Sequence, residues 1–369
     1  MRLVPVRKLQ EGMRIAKKIY SDEGIVLLAD GVELTSSLIR RLIELDIGYI
    51  YVEDGLTEGI HIPEMLHEET RRSALQSIRK NFQSLSESSK ITKGYLHLGK
   101  DFTKMMEAIL CDVSSQEESM IFLMDMNTAD HYLYKHSLNV CVYALVLGIA
   151  NGYTEQQLIV LGLGALLHDI GKTQIPQRVL AKPQKLTDEE YKLMQAHAEI
   201  GYKILKDEPN IPLLAAHCAY QHHERLNGSG YPRGIKGNDI HEYAQWVALA
   251  DSYDAMTSHR VYRPAMLPHQ AIEVLYTGSG TLYDQKKLEL FRDKVAIYPP
   301  GLTVKLSTGE TAVVSRIHPN MPHRPVVRIL GDAEGQSLHV PYEMDLAKKL
   351  SVIITDVDGS DAEPISLEH

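Results

Sequence analysis

Cysteine is scarce in this 369-residue sequence: Cys111, Cys141 and Cys218 are the only three, far apart and without a C-x-x-C pair. Neither a disulfide framework nor a zinc-thiolate site is indicated. Long apolar runs are missing as well. The longest uncharged one, residues 140–150, is too short to span a bilayer, and the opening MRLVPVRKLQEG lacks the continuous apolar stretch of a signal peptide. The expectation is a cytoplasmic protein without membrane insertion. Positive charge is not in excess: 48 acidic against 39 basic side chains leave a net charge of -9. Such a chain has no global field to attract DNA or an anionic membrane, although a local basic pocket stays open. No internal repeat and no low-complexity segment stand out. What is present is apolar material, 44 % of the residues, enough for a sizeable core and against a disordered or collagen-like chain.

The length allows two or three domains. Residues 13–52 alternate short apolar runs with turns, as in IAKKIY, SDEG, IVLLADG and GYIYVED, which reads as a hairpin and a later strand. Between them Thr35 can cap a helix through about Leu45, with Leu38, Ile39, Leu42 and Ile43 on one face. Residues 1–60 are thus a small α+β module. Residues 64–93 run without Pro or Gly and are rich in Glu, Arg, Gln and Ser, which predicts a long, exposed linking helix within 61–100, with a dimer-forming helix as the alternative. Helical periodicity dominates residues 101–296. After Tyr298-Pro299-Pro300-Gly301 the pattern turns to the short β-rich runs LTVKLS, TAVVSRIH and RPVVRIL, a small β module over 297–358. The tail, 359–369, ends in SLEH, which reads as a cloning remnant. The fold class is mainly α, a helical bundle flanked by a small α+β module and a small β module.

Histidine carries the functional signal. Ten of the 17 fall between His131 and His269, several beside acids where helices begin or end: His136 in KHSLNV, His168-Asp169 in LLHDIGK, His197 in MQAHAEIG, His222-His223 in YQHHERLNGSGYP, and Asp251 in ALADSYDAMTS. Five imidazoles and two carboxylates suit Fe, Mn, Zn or Ni, and a carboxylate can bridge two cations. Asp169 is the natural bridge. On a helix His168 and Asp169 point about 100° apart, so each must be completed from other helices. The separations allow it: 32 residues from His136 to His168, 28 from Asp169 to His197, 25 from His197 to His222 and 28 from His223 to Asp251. Each is long enough for a helix to go up and return, although spacing alone does not prove convergence. The apolar LGLGALL run ends in two polar residues whose burial is costly unless they are partnered.

Over residues 128–263 the order HS, HDIGK, IPQRVLAKPQKLTDEEY, H-x-x-x-G, HHE, GYP at Gly230-Tyr231-Pro232, and ADSYDAMTSHRVYR resembles the HD-GYP subgroup of the HD-domain phosphohydrolases. The resemblance implies a helical, HD-type, metal-dependent phosphodiesterase that opens cyclic dinucleotides, most characteristically cyclic di-GMP, in bacterial signalling. It assigns one metal to His136, His168, Asp169 and Asp251, and a second to the shared Asp169 with His197, His222 and His223. Some members hold a third metal with a Glu one turn before the first His. Here that position is Tyr132, so two metals are expected, Fe or Mn before Zn or Ni. Ala198 stands where Pro often follows the His, and Asn227 where Asp is common; neither removes a ligand. The resemblance also places Arg260 and Arg263 against substrate phosphate or guanine, and gives the 227–234 loop a role in substrate specificity and in contacts with partner signalling domains.

Two bridged cations would acidify a water held between them and offset charge on the phosphoryl oxygens. Asp169 and Lys172 are the expected catalytic pair, with Lys172 one turn on as a further point charge for phosphate. Gly230, Tyr231 and Pro232 join Lys172, Arg260 and Arg263 as expected substrate contacts. Expected products are linear pGpG and, on further cleavage, GMP. Two alternatives stay open: a catalytically weak cyclic-dinucleotide receptor, and a hydrolase acting on another nucleotide such as cyclic GMP-AMP.

Overall fold

The computed structural model describes residues 1–20, 26–45, 47–87, 98–115, 120–121, 132–258 and 265–358, with the side chains at 87, 98–100 and 132 excepted. At the N-terminus, β1 (Arg2–Pro5) pairs antiparallel with β4 (Tyr49–Val52), while β2 (Ile19–Tyr20) and β3 (Val26–Leu28) form a hairpin. Helix α1 (Ser36–Glu44) begins where Thr35 Oγ1 accepts the Leu38 amide at 3.3 Å, as a capping residue should. Leu42 is buried beneath it, but Ile43 is 51 % exposed and lies off the expected apolar face. At 100° per residue, the stripe through Leu38 and Leu42 leaves Ile43 on its edge.

The helical part comprises α2 (Glu68–Glu87), α3 (Leu98–Ser114), α4 (Tyr132–Ala150), α5 (Glu155–Leu167), the short α6 (Gln177–Leu180), α7 (Asp188–Leu205), α8 (Leu213–Gln221), α9 (Glu242–Thr257), α10 (Pro268–Thr277) and α11 (Gln285–Lys294). Helix α2 is not the exposed spacer its polar composition suggests. Ala74, Leu75, Ile78, Phe82 and Leu85 recur three or four apart and are buried against the bundle, so a narrow apolar stripe is enough to dock it. Helices α4, α5, α8 and α9 carry much of the common core. Residues 133–150 of α4 are, among the described residues, the one stretch long and apolar enough to cross a membrane, yet 78 % of that window is buried inside the fold.

Two capping boxes set the helices that frame the site. At the start of α5 the side chains of Thr154 and Gln157 each accept the other's backbone amide, and Thr187 and Glu190 do the same at the start of α7. Between α4 and α5 the chain reverses within residues 151–154, where Gly152 supplies a φ of 80°. The two helices therefore run back along each other. His136 lies 14 residues before the end of α4 (150 − 136) and His168 lies 13 beyond the start of α5 (168 − 155), so the hairpin brings them level.

The C-terminal sheet is antiparallel, in the order β8-β7-β6-β5-β9, with β5 (Thr303–Leu306), β6 (Thr311–Arg316), β7 (Val326–Gly331), β8 (Ser337–Asp345) and β9 (Ile354–Val357). It meets the N-terminal strands directly. The Leu3 amide donates to the Gly301 carbonyl at 2.8 Å, and Leu3 is buried in the same cluster as Val304, Val327 and Ile329.

Candidate metal centre

All seven sequence-selected acids and histidines converge. His136 comes from α4, His168 closes α5, Asp169 precedes the 3-10 turn Ile170–Gln174, His197 is mid-α7, His222 and His223 follow α8, and Asp251 is on α9. They form two groups of donor atoms, each within 4.8 Å of one another: His136, His168 and Asp251; and Asp169, His197, His222 and His223.

Asp169 lies between the groups with one oxygen toward each. Oδ2 is 3.5 Å from His136 Nε2 and 3.4 Å from His168 Nε2, while Oδ1 is 3.4 Å from His197 Nε2 and 3.8 Å from His222 Nε2. Asp251 Oδ1 completes the first group, 3.1 Å from His136 Nε2. Lys172 Nζ donates to Asp169 Oδ2 at 2.6 Å, so in this structure its charge is directed at the carboxylate.

Backbone and side-chain acceptors aim four of the rings. His168 Nδ1 donates to the Ala165 carbonyl and His197 Nδ1 to that of Met194, both at 2.6 Å. His222 Nδ1 is 3.0 Å from the Ala219 carbonyl, and His136 Nδ1 donates to Asp254 Oδ2 at 2.7 Å. With Nδ1 committed, every Nε2 turns inward. His136 and His168 then meet Nε2 to Nε2 at 3.3 Å, as do His197 and His222. Between His197 and His222, which burial keeps neutral, two ring lone pairs facing each other at that distance want an electropositive centre. Asp169 Oδ1 is also buried with no hydrogen-bond partner among the described residues, a costly arrangement for an acceptor. Crowded nitrogens and an orphan carboxylate oxygen fit bound cations.

The electrostatics agree. Burial disfavours a charged Asp169, but the charges of Lys172 and His168 hold its carboxyl well below the ordinary range. Burial likewise opposes ionisation of Asp251, outweighed by its hydrogen bond to His136 and that ring's charge. Burial, partly offset by Asp169, lowers His197 to about 4. Burial and neighbouring imidazoles push His222 and His223 down further. His136 differs: burial would lower it, yet hydrogen bonds to Asp251 and Asp254 raise it to about 9. Ionised carboxylates beside the neutral His197, His222 and His223 are a donor set that divalent first-row metals take, while a cation in the first group would have to displace the His136 proton.

Asp254 and Asn139 escaped the sequence reading. Asp254 is buried and bonded to His136, and its Oδ1 accepts from Asn139 Nδ2 at 2.9 Å. The signal was spacing: Asp254 lies three residues after Asp251, and Asn139 three after His136, each pair on one helix face. The expected substrate residues divide. Gly230, Tyr231 and Pro232 lie on the loop after α8, with Tyr231 against His223. Arg260 and Arg263 lie outside the described residues, as does the Tyr132 side chain.

Residues 104–286 match the HD-domain family, and residues 303–362 match a family described as a KOW domain associated with HD domain. A cyclic di-GMP phosphodiesterase of Pseudomonas aeruginosa is 31 % identical over 271 residues, 73 % of this chain and 65 % of that protein. One from Thermotoga maritima is 43 % identical over 142 residues, 38 % of each chain. A 3'3'-cGAMP-specific phosphodiesterase of Vibrio cholerae is 33 % identical over 172 residues, 47 % of this chain and 37 % of its own length. The chain thus spans less than two thirds of each of these relatives. The HD match lies over the helices that bear the seven converging residues, and together with the curated cyclic di-GMP phosphodiesterases similar to this chain it supports an HD-domain protein of the HD-GYP type.

Proposed function

We propose that this chain is a metal-dependent phosphodiesterase that opens cyclic di-GMP to linear pGpG, with GMP as a further product. One observation carries the reading: Asp169 turns one carboxylate oxygen to each of two imidazole groups at the end of a buried hairpin. His136, His168 and Asp251 would hold one divalent cation and His197, His222 and His223 the other, with Asp169 shared. Fe or Mn suits this mixture of nitrogen and oxygen donors, with Zn or Ni next. Bound there, the cations would supply Lewis-acid charge to a phosphodiester and lower the pKa of a water.

The remaining steps belong to side chains. Lys172, with its side chain 20 % exposed, stands at the rim where its ammonium can turn from Asp169 to a substrate phosphate. Arg260 and Arg263 would hold the other phosphate or a guanine, a task suited to the planar guanidinium. Asp169 and Asp251, both ionised, would stay bound to the cations, and the proton that the attacking water sheds would pass to solvent. Similarity to a cGAMP-specific relative supports a hybrid cyclic dinucleotide as the second substrate reading.

Elemental analysis of the purified chain, followed by product analysis on cyclic di-GMP, 3'3'-cGAMP and linear pGpG, tests this. The expected outcome is two cations per chain and cyclic di-GMP cleavage that chelation abolishes. Asp169→Ala should lose both cations and all turnover. Two cations retained by folded Asp169→Ala would refute the bridging role; a metal-loaded wild type that binds cyclic di-GMP without cleaving it would make the protein a receptor.

A further inference from the structure

His223 is oriented differently from its four neighbours. Each of the others directs Nδ1 at a carbonyl or carboxylate oxygen, but His223 makes no ring hydrogen bond among the described residues. Its ring is stacked on Tyr231 instead, with centroids 4.6 Å apart and planes inclined by 25°. Tyr231 is itself wedged edge-on against Tyr191 at 6.4 Å and His197 at 6.3 Å. An imidazole without a hydrogen bond is free to turn about its side-chain torsion, and a flat ring packed on its face is what restrains it.

The loop carrying Tyr231 is built to keep that ring in place. Glu224 is buried, and its two carboxylate oxygens accept the amides of Arg233 at 2.8 Å and Ile235 at 3.1 Å. The Tyr231 amide donates to the His223 carbonyl at 3.2 Å, tying the loop to the segment that bears the ligand. Gly230 permits the approach: a Cβ there would lie 2.3 Å from the His223 carbonyl oxygen and 2.5 Å from the Arg225 nitrogen. Only a glycine lets the two backbones lie this close.

We propose that Tyr231 is the positioning residue for His223, its ring replacing the hydrogen bond that aims the other four imidazoles, and that Glu224 and Gly230 hold the brace in register. The role rests on His223 being a metal ligand. It gives the tyrosine a task inside the metal centre that needs neither its hydroxyl nor substrate.

The test uses the full chain and Mn2+ alone, with affinity measured by equilibrium dialysis for wild type, Tyr231→Phe, Tyr231→Leu, His223→Ala and the His223→Ala/Tyr231→Leu double variant. Tyr231→Phe keeps the flat ring and should bind as wild type. Tyr231→Leu should weaken one of the two sites by roughly ten- to a hundredfold, the range for residues that orient a metal ligand. Because Tyr231 acts through His223, the double variant should be no weaker than His223→Ala alone. Wild-type Mn2+ affinity in folded Tyr231→Leu, or losses that add in the double variant, would overturn the proposal. A second readout is independent of any cation. In protein labelled with 15N-histidine, the His223 ring resonances should move in Tyr231→Leu and not in Tyr231→Phe, and unchanged resonances in both would refute the brace. Should Tyr231→Leu not fold, Gly230→Ala lifts the same backbone and is read the same way. A wild type that binds no Mn2+ yet shows the expected resonance shifts would sink the metal reading while leaving the brace standing.

Discussion

At the scale of single residues, the site was legible wherever the chemistry is written in residue type. His168-Asp169, His222-His223 and Asp251 are rare combinations at helix ends, whereas Asp254 is an ordinary acid inside a helix until His136 is placed beside it. Asp254 fixes the His136 tautomer and makes the ring a better donor. Asp254→Asn should therefore lower cation affinity in the group of His136, His168 and Asp251 by roughly ten- to a hundredfold, while leaving the group around His197 intact. Metal titration with two resolved sites checks this, and an equal loss at both would show a general collapse instead. His269 offers a test away from the metal centre. Its ring stacks on Tyr298 with centroids 5.7 Å apart, its Nδ1 is buried without a partner among the described residues, and burial lowers its pKa to about 4 against a modest pull from Asp356. As pH falls from about 6.5 toward 4, the unfolded chain takes up a proton that the folded chain refuses, so stability is lost. His269→Phe keeps the stack and removes the proton site. Denaturant titrations at pH 7 and pH 4.5 should show the wild type losing about 2 kcal/mol more than the variant.

Among elements, those with long periodic signals were readable and those defined by their partners were not. Helices α5 and α7 announce themselves through apolar spacing and the T-x-x-Q and T-x-x-E boxes. Strand β1, RLVP, contains a proline and becomes a strand only because β4 pairs with it; β8 and β9 likewise depend on the sheet they edge. The polar surface of α2 concealed a buried stripe whose spacing was nonetheless present. The contact that most directly shapes the site, the crossing of the Ile170–Gln174 turn over α7, left only two glycines as its trace. A Cβ on Gly171 would lie 2.0 Å from the His197 carbonyl oxygen and 2.6 Å from the Gly201 nitrogen. Backbone atoms cannot step aside as a flexible side chain can, so Gly171→Ala must push the turn off the helix. We expect a loss of about 1–3 kcal/mol in denaturant unfolding, as for an overpacked core, together with weaker cation binding because Asp169 and His197 ride on the two separated elements. Wild-type stability in this variant would mean that the crossing is looser than its backbone distances indicate.

Across the whole molecule, the two small terminal modules, which read as separate in the sequence, share an apolar core. Leu3 is buried within the C-terminal sheet, and Ile60 packs with Val313 and Leu330 from β6 and β7. No local pattern could reveal this, since each strand segment is short and its apolar residues serve equally well in a self-contained module. Polar contacts close the same seam. Arg328 Nη1 on β7 donates to the carbonyls of Glu58 at 2.6 Å and Leu56 at 3.3 Å, while the Met1 ammonium, donating to the Thr57 carbonyl at 3.0 Å, ties the same segment down within the N-terminal module. Arg328 also lies 3.4 Å from Glu343 on β8, so one guanidinium joins the sheet to the 55–60 segment. Arg328→Ala leaves those carbonyls to water and should cost about 1–2 kcal/mol, because charged hydrogen bonds are strong but these are partly exposed. Hydrogen exchange can show where the loss falls. If the modules unfold as one unit, amides of β1, including the Leu3 bond to Gly301, should exchange faster together with those of residues 55–60, while α4 and α9 keep their protection. Faster exchange confined to residues 55–60 would instead separate the seam from the β1 pairing and make the N-terminal module an independent body.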